Sequence, residues 1–139
     1  MQTRKIDRET LAILERCGVD PASLPQPKKK KKNLAGELQK KALAELERLG
    51  CMATRTNAGL FRALYHNGKV HGCIEGWPDI TGCSDTGRFV GCEVKAGRDV
   101  LSDMQRYRLN WMRDRGALVG VVRELKDVSE ILAGRGIIA

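Results

Sequence analysis

Aromatic side chains are scarce: two Trp, two Tyr and two Phe, 4% of the chain. They are not interleaved with the most basic stretch, which argues against a base-stacking platform. Long apolar runs are missing as well; none approaches the ~20 residues of a membrane span. The stretch from Met1 to Asp7 leads into no apolar signal core, so export is not expected. The five cysteines, Cys17, Cys51, Cys73, Cys83 and Cys92, are odd in number, widely scattered and without a Cys-x-x-Cys pair. That excludes a disulfide framework and points to a reduced, cytoplasmic protein. No internal repeat, Walker loop or dinucleotide fingerprint is present.

What is there is a chain of 139 residues, 42% hydrophobic, enough for one buried core. Lys and Arg number 25 against 17 Asp and Glu, a net charge of +8 that favours a polyanionic partner such as nucleic acid. Lys28 to Lys32 carry five of those charges, so the rest of the chain is mildly basic.

Residues 1–33 read as an appendage to a domain over 34–139. Asp7 to Arg16 can form a short helix stopped by Cys17-Gly18. Pro21, Pro25 and Pro27 then lead into the lysine run, an extended linker by composition. Asn33 is a good N-cap, and Leu34, Leu38, Ala42, Leu46 and Leu49 keep helical spacing up to Gly50. Strands are predicted at 51–57, 60–66 and 69–74, with Asn67-Gly68 as a hairpin turn. Further strands follow at 79–83 and 88–95, joined by the turn Ser84 to Gly87. Leu101 to Arg115 is a helix with Leu101, Met104, Leu109, Trp111 and Met112 as its apolar set. Ala117 to Val122 is a buried strand, and Asp127 can cap a last helix over 128–133. The order implies an α/β fold around a mixed sheet.

The chemistry centres on Gly76-Trp77-Pro78-Asp79 and Glu93-Val94-Lys95. Thirteen residues separate Asp79 from Glu93, and they read as strand, turn, strand, so a hairpin brings the two carboxylates together. Strand alternation sets Val90, Cys92 and Val94 on one face, and Phe89, Gly91, Glu93 and Lys95 on the other. Two carboxylates and the Val94 carbonyl form an all-oxygen set, suited to Mg²⁺ or Mn²⁺ rather than zinc. A neighbouring ammonium can orient a water or stabilise charge on a phosphate in flight. Taken alone, Glu-x-Lys also describes an ordinary solvated hairpin, and Pro-Asp an ordinary turn.

Together the two segments resemble the PD-(D/E)XK nucleases, and more closely their VRR-NUC branch. The resemblance rests on Gly76 to Ile80, Gly87 to Lys95, Leu101 to Gln105, and Gly116 to Arg123. It spans roughly 34–133 and leaves out 1–33. It implies a restriction-endonuclease-like mixed sheet flanked by helices and a divalent-metal phosphodiesterase acting on DNA. Members of this size resemble phage-type nucleases that cut branched replication or repair intermediates such as four-way (Holliday) junctions. A bacterial or phage-infected cytoplasm and a homodimer, for paired cuts, would follow. By the same resemblance Asp79 and Glu93 are metal ligands and Lys95 the catalytic lysine, with Glu37 a further acid on the first helix. Glu37 also has Lys40 and Lys41 at ion-pair spacing. Gln105 matches a family glutamine, yet Ser102 to Gln105 is equally a capping box. Arg55 and Asn57 match an Arg-x-Asn-x-Gly segment and are candidate DNA contacts.

Lys28, Lys29, Lys30, Lys31 and Lys32 can hold phosphates non-specifically, and Arg106, Arg108, Arg113 and Arg115 can hold a DNA backbone. His66, His71 and Cys73 fit no common zinc template and read as structural residues. Cys51, Cys83 and Cys92 read as small buried hydrophobes. The alternative to a nuclease is a non-catalytic nucleic-acid-binding module on the same fold.

Overall fold

The computed structural model describes residues 8–23, 33–56, 60–62 and 69–139. The expected Pro/Lys linker from residue 24 on and the Asn67-Gly68 turn lie outside the described residues. The chain divides into two compact units, Met1–Lys32 and Asn33–Ala139. In the first, helix α1 (Arg8–Arg16) covers the expected segment, and a 3₁₀ turn follows at Pro21–Ser23. The α1 stop works as the glycine requires. Gly18 sits at φ +66°, Gly18 N–H donates to Glu15 O and Val19 N–H to Leu14 O. This pair of bonds closes a helix on a left-handed residue.

The second unit runs α2 (Leu34–Arg48), β1 (Met52–Arg55), β2 (Leu60–Arg62), β3 (Lys69–His71), β4 (Ile80–Cys83), β5 (Phe89–Val94), α3 (Asp103–Asp114), β6 (Leu118–Val122) and α4 (Lys126–Leu132). Four strands form one mixed sheet in the order β1-β4-β5-β6. Its first two pairings are antiparallel and β5–β6 is parallel, the two strands being joined through α3. β2 and β3 make a separate antiparallel pair with Leu60 opposite His71. This is the α/β mixed sheet flanked by helices that the element order implies, and it agrees with the restriction-endonuclease-like sheet that the resemblance implies. No helix among the described residues is long and apolar enough to cross a membrane.

Residue pairing divides the core into two layers. Ile80, Cys92 and Val90, with Leu118 and Val122 across β6, face one side and pack with Ala42 and Leu46 of α2 and Val128 and Ile131 of α4. Val119 and Val121 face the other side and pack with Leu101, Leu109 and Met112. Asn33 caps α2 as expected, its side chain accepting from Gly36 N–H at 2.9 Å. Burial of this kind stabilises by roughly 25 cal/mol per Å² of apolar surface, which is why the helices are held by their stripes. Along β6, Val121 N–H donates to Ile137 O at 2.8 Å, so the C-terminal segment covers that edge of the sheet.

Four expectations about packing need correction. Leu34 is exposed, one turn ahead of the packed stretch of α2. Met104 and Trp111 are exposed because α3 buries only the narrow stripe of Leu109 and Met112. Cys83 is exposed at the last position of β4, whereas Cys51 and Cys92 are buried. Asp127 is not the N-cap of α4, which is Leu125. It lies in the first turn, and its carboxylate accepts from Arg123 N–H and Glu124 N–H, both at 2.9 Å, satisfying the turn before the helix.

β1 approaches β4 most closely at Gly82. A Cβ there would meet the Met52 carbonyl and come within 2.6 Å of Ala53 Cα, both backbone atoms in a paired strand. Gly82→Ala is therefore expected to lower stability by about 1–3 kcal/mol. A thermal melt would show this as a drop of roughly 4–8 °C per kcal/mol.

Candidate active site

The hairpin pairs Ile80 with Cys92. Continued by one residue, that register sets Asp79 opposite Glu93, where the ladder changes character. Val94 N–H donates to the Asp79 carboxylate at 2.8 Å instead of to a backbone carbonyl. Within a strand the N–H and C=O of one residue point to the same side, so the Val94 carbonyl lies on the Asp79 side of β5. The other side of β5 is taken by β6: Lys95 N–H donates to Val122 O at 3.0 Å.

Two further anchors hold Asp79. Thr56 N–H donates to Asp79 O at 2.7 Å, and the Thr56 hydroxyl donates to Pro78 O. Thr56 was not singled out from sequence. Its signal is its position one residue past β1, where a strand end meets the Pro-Asp pair. Upstream, Gly76 turns the chain at φ +77°, and a Cβ there would press on Met104 of α3, as close as 2.7 Å. The glycine of Gly76-Trp77-Pro78-Asp79 thus allows this loop to lie against α3.

Glu93 is the one acidic residue among the described residues to be buried, with 2% of its surface exposed. Its face of the sheet is covered by α3, so the solvated-hairpin description does not hold. The Glu93 Oε1 atom accepts from Gln105 Nε2 at 2.7 Å and lies 3.2 Å from the Lys95 ammonium, itself largely covered. Oε2 is buried and has no hydrogen-bond partner among the described residues. Burial first, and then the Asp79 charge, push the Glu93 carboxyl up to about 7; the Lys95 ammonium opposes both.

Gln105 answers both readings of its position. Its Oε1 accepts from Ser102 N–H at 2.9 Å while Ser102 Oγ accepts from Gln105 N–H at 3.2 Å, a complete capping box. Its Nε2 remains free to hold Glu93. One amide therefore caps α3 and orients the carboxylate.

The arrangement suits a hard divalent cation. A buried carboxylate oxygen without a partner, beside a second carboxylate, is costly alone and is matched by a cation. Mg²⁺ needs only one or two protein carboxylates, the rest of its shell being water and phosphate. Among the described residues no group of three or more His, Cys, Asp or Glu is gathered for a metal. Glu37 is exposed on the first turn of α2, and α2 packs against the face of the sheet opposite to the one that carries Glu93.

The candidate DNA contacts divide similarly. Arg55 is exposed at the end of β1, and Arg106 is exposed on the first turns of α3, one residue from Gln105. Arg108 donates to Glu75 O, Arg113 to Asn110, and Arg115 to Trp111 O. Asn57 and Lys28 to Lys32 lie outside the described residues, as does His66.

A family model described as the VRR-NUC domain matches residues 27–124, well over half of the chain. Among solved structures, one described as a VRR-NUC domain is similar at 26% identity and a TM-score of 0.50, covering 71% of this chain and 94% of that one. No curated protein matches the chain.

The raised Glu93 pKa makes stability pH-dependent. Between the ordinary 4.5 and about 7 the folded chain keeps a proton that the unfolded chain has released. That contribution is full below about 4.5 and is lost as pH rises through 7. In EDTA, the thermal midpoint is expected to fall between about pH 5 and pH 8, and Glu93→Gln to flatten that fall. Gln105→Glu keeps an acceptor for Ser102 N–H but turns a carboxylate toward Glu93, so its fall should be steeper than wild type.

Proposed function

The chain belongs to the VRR-NUC domain family, a nuclease-type family, and on that premise we propose that it is a divalent-metal-dependent endonuclease hydrolysing DNA phosphodiester bonds. The observation that carries the proposal is the Glu93 carboxylate, buried with Oε2 unpartnered, beside Asp79 and under Lys95. Burying a carboxylate with one oxygen unpartnered costs stability, and a bound cation would offset that cost.

Asp79, Glu93 and the Val94 carbonyl would hold Mg²⁺ or Mn²⁺, which when bound supplies Lewis-acid stabilisation of the phosphate and makes water a better nucleophile at neutral pH. The remaining steps belong to the chain. Val94 N–H and Thr56 fix Asp79 in place. Gln105 fixes Glu93 through Oε1, and Oε2 has no hydrogen-bond partner among the described residues. The Lys95 ammonium, 3.2 Å from Glu93, would orient the attacking water and stabilise negative charge gathering on the phosphate. Glu37, exposed on the first turn of α2, would contribute to a second ion. Exposed Arg55 and Arg106, with Lys28 to Lys32 and Asn57, supply phosphate contacts without reading sequence.

Branched DNA, including four-way junctions, is the substrate class proposed from the family resemblance, and a homodimer is the assembly that would make two cuts. A binding module without catalysis has no use for the Asp79, Glu93 and Lys95 set.

The test is cleavage of end-labelled four-way junctions, flaps and linear duplexes in Mg²⁺, Mn²⁺ and EDTA. Asp79→Asn and Glu93→Gln are expected to abolish cutting. Lys95→Ala should slow it by about 10²–10³-fold while DNA is still bound. Cutting that persists in EDTA, or in Asp79→Asn, would sink the proposal. Mn²⁺ should also raise the thermal midpoint of wild type, more at pH 8 than at pH 5, because the ion competes with the Glu93 proton. Glu93→Gln should lose that gain.

A further inference from the structure

Four of the six aromatic residues meet in one groove of about 580 Å³, within the usual range of ligand pockets. Tyr107 and Trp111 stand on successive turns of α3, 59% and 48% exposed. Trp77 and Phe89 pack edge to face at 6.0 Å beside them. Among the described residues, the charged groups that line the groove are Arg88, Arg108 and Arg115, with no carboxylate. The Arg115 guanidinium lies over the Trp111 ring, its carbon 3.7 Å from the ring centroid, so it covers one face of the indole and offers its own flat face beyond it. Among the described residues Arg88 and Arg108 are tethered through Nε, to Gly116 O and Glu75 O, which leaves their terminal N–H groups for an anion.

The groove and the candidate active site share their supports. β5 carries Phe89 and Glu93 on one face, four residues apart, which is about 13 Å along a strand. α3 carries Gln105 near its first turn and Trp111 near its last.

We propose that this groove binds an unpaired nucleobase of the DNA substrate, a few nucleotides from the phosphate at Asp79 and Glu93. The proposal rests on the nuclease reading for the identity of the ligand. Flat aromatic and guanidinium surfaces stack on any base, and the arginines neutralise the flanking phosphates. A base inside a duplex has both faces covered by its neighbours, so only an unpaired one can enter. The scarcity of aromatics in the sequence suggested no stacking platform, but the fold concentrates those present. The site would favour DNA with an interruption in pairing near the cut.

Trp77 and Trp111 are the only tryptophans in the chain, so intrinsic fluorescence reports on this groove alone. The full-length chain would be titrated in EDTA with a perfect duplex and with the same duplex carrying one bulged thymine. Expected are quenching and tighter binding with the bulge. Trp111→Leu and Tyr107→Leu, which keep apolar bulk but remove the stacking face, should each weaken bulge binding by roughly five- to a hundredfold. Perfect-duplex binding should change less than twofold, and the thermal midpoints should confirm folding. No preference for the bulge, or Leu variants that bind it like wild type, would overturn the proposal. So would Leu variants whose main effect is on self-association by sedimentation, which would make the groove a protein contact. Metal-dependent cutting by wild type separates the two readings: cutting with an indifferent groove sinks only this one, and bulge binding without cutting sinks only the nuclease.

Discussion

The register of β4 against β5 is the constraint on which the site depends. Ile80 opposite Cys92 buries both in the layer beneath α2 and α4, and the same alignment sets Asp79 opposite Glu93. A slip of β5 by one residue would turn Cys92 out of that layer, away from Ile80, and send Glu93 to the wrong face. Register is thus enforced by the apolar residues, and the acids inherit their positions. Val94 N–H adds a local lock, since it reaches Asp79 only in this alignment.

The same register creates a tension. It buries Glu93 beneath α3, where a charged carboxylate is poorly solvated, and places a second acid beside it. Lys95 and Gln105 offset part of this through Oε1 and leave Oε2 with nothing. The structure tolerates this because the rest of the core is apolar and well packed on both faces of the sheet. A buried oxygen without a partner in an otherwise consistent fold marks a candidate site.

Legibility in the sequence followed the range of each interaction. α2 could be read because its stripe and its Asn33 cap are local, and β5 because alternation is local. The pairing of Asp79 with Glu93 could be read because a short hairpin joins them. The burial of Glu93 could not, since it depends on where α3 lands after crossing to the parallel strand β6. Nor could the aromatic groove: Trp77, Phe89, Tyr107 and Trp111 come from a loop, a strand and a helix, and only tertiary structure brings them together. Asp127 misled because a carboxylate near a helix start can serve the turn before it as readily as the helix. The two readings of Gln105 competed in sequence because each used half of the amide, and both halves are occupied.

That double use of Gln105 has a consequence for how the molecule breathes. Its carbonyl closes the first turn of α3 and its amino group holds Glu93, so the helix end and the carboxylate form one cooperative unit. Fraying of a helix terminus is ordinarily the least costly opening in a folded chain. Here such an opening would release the acid as well, and a ligand that engages Glu93 would hold the turn shut. Slow hydrogen exchange at the Gln105 and Arg106 amides, both bonded to Ser102, would therefore read the occupancy of a site that neither amide touches.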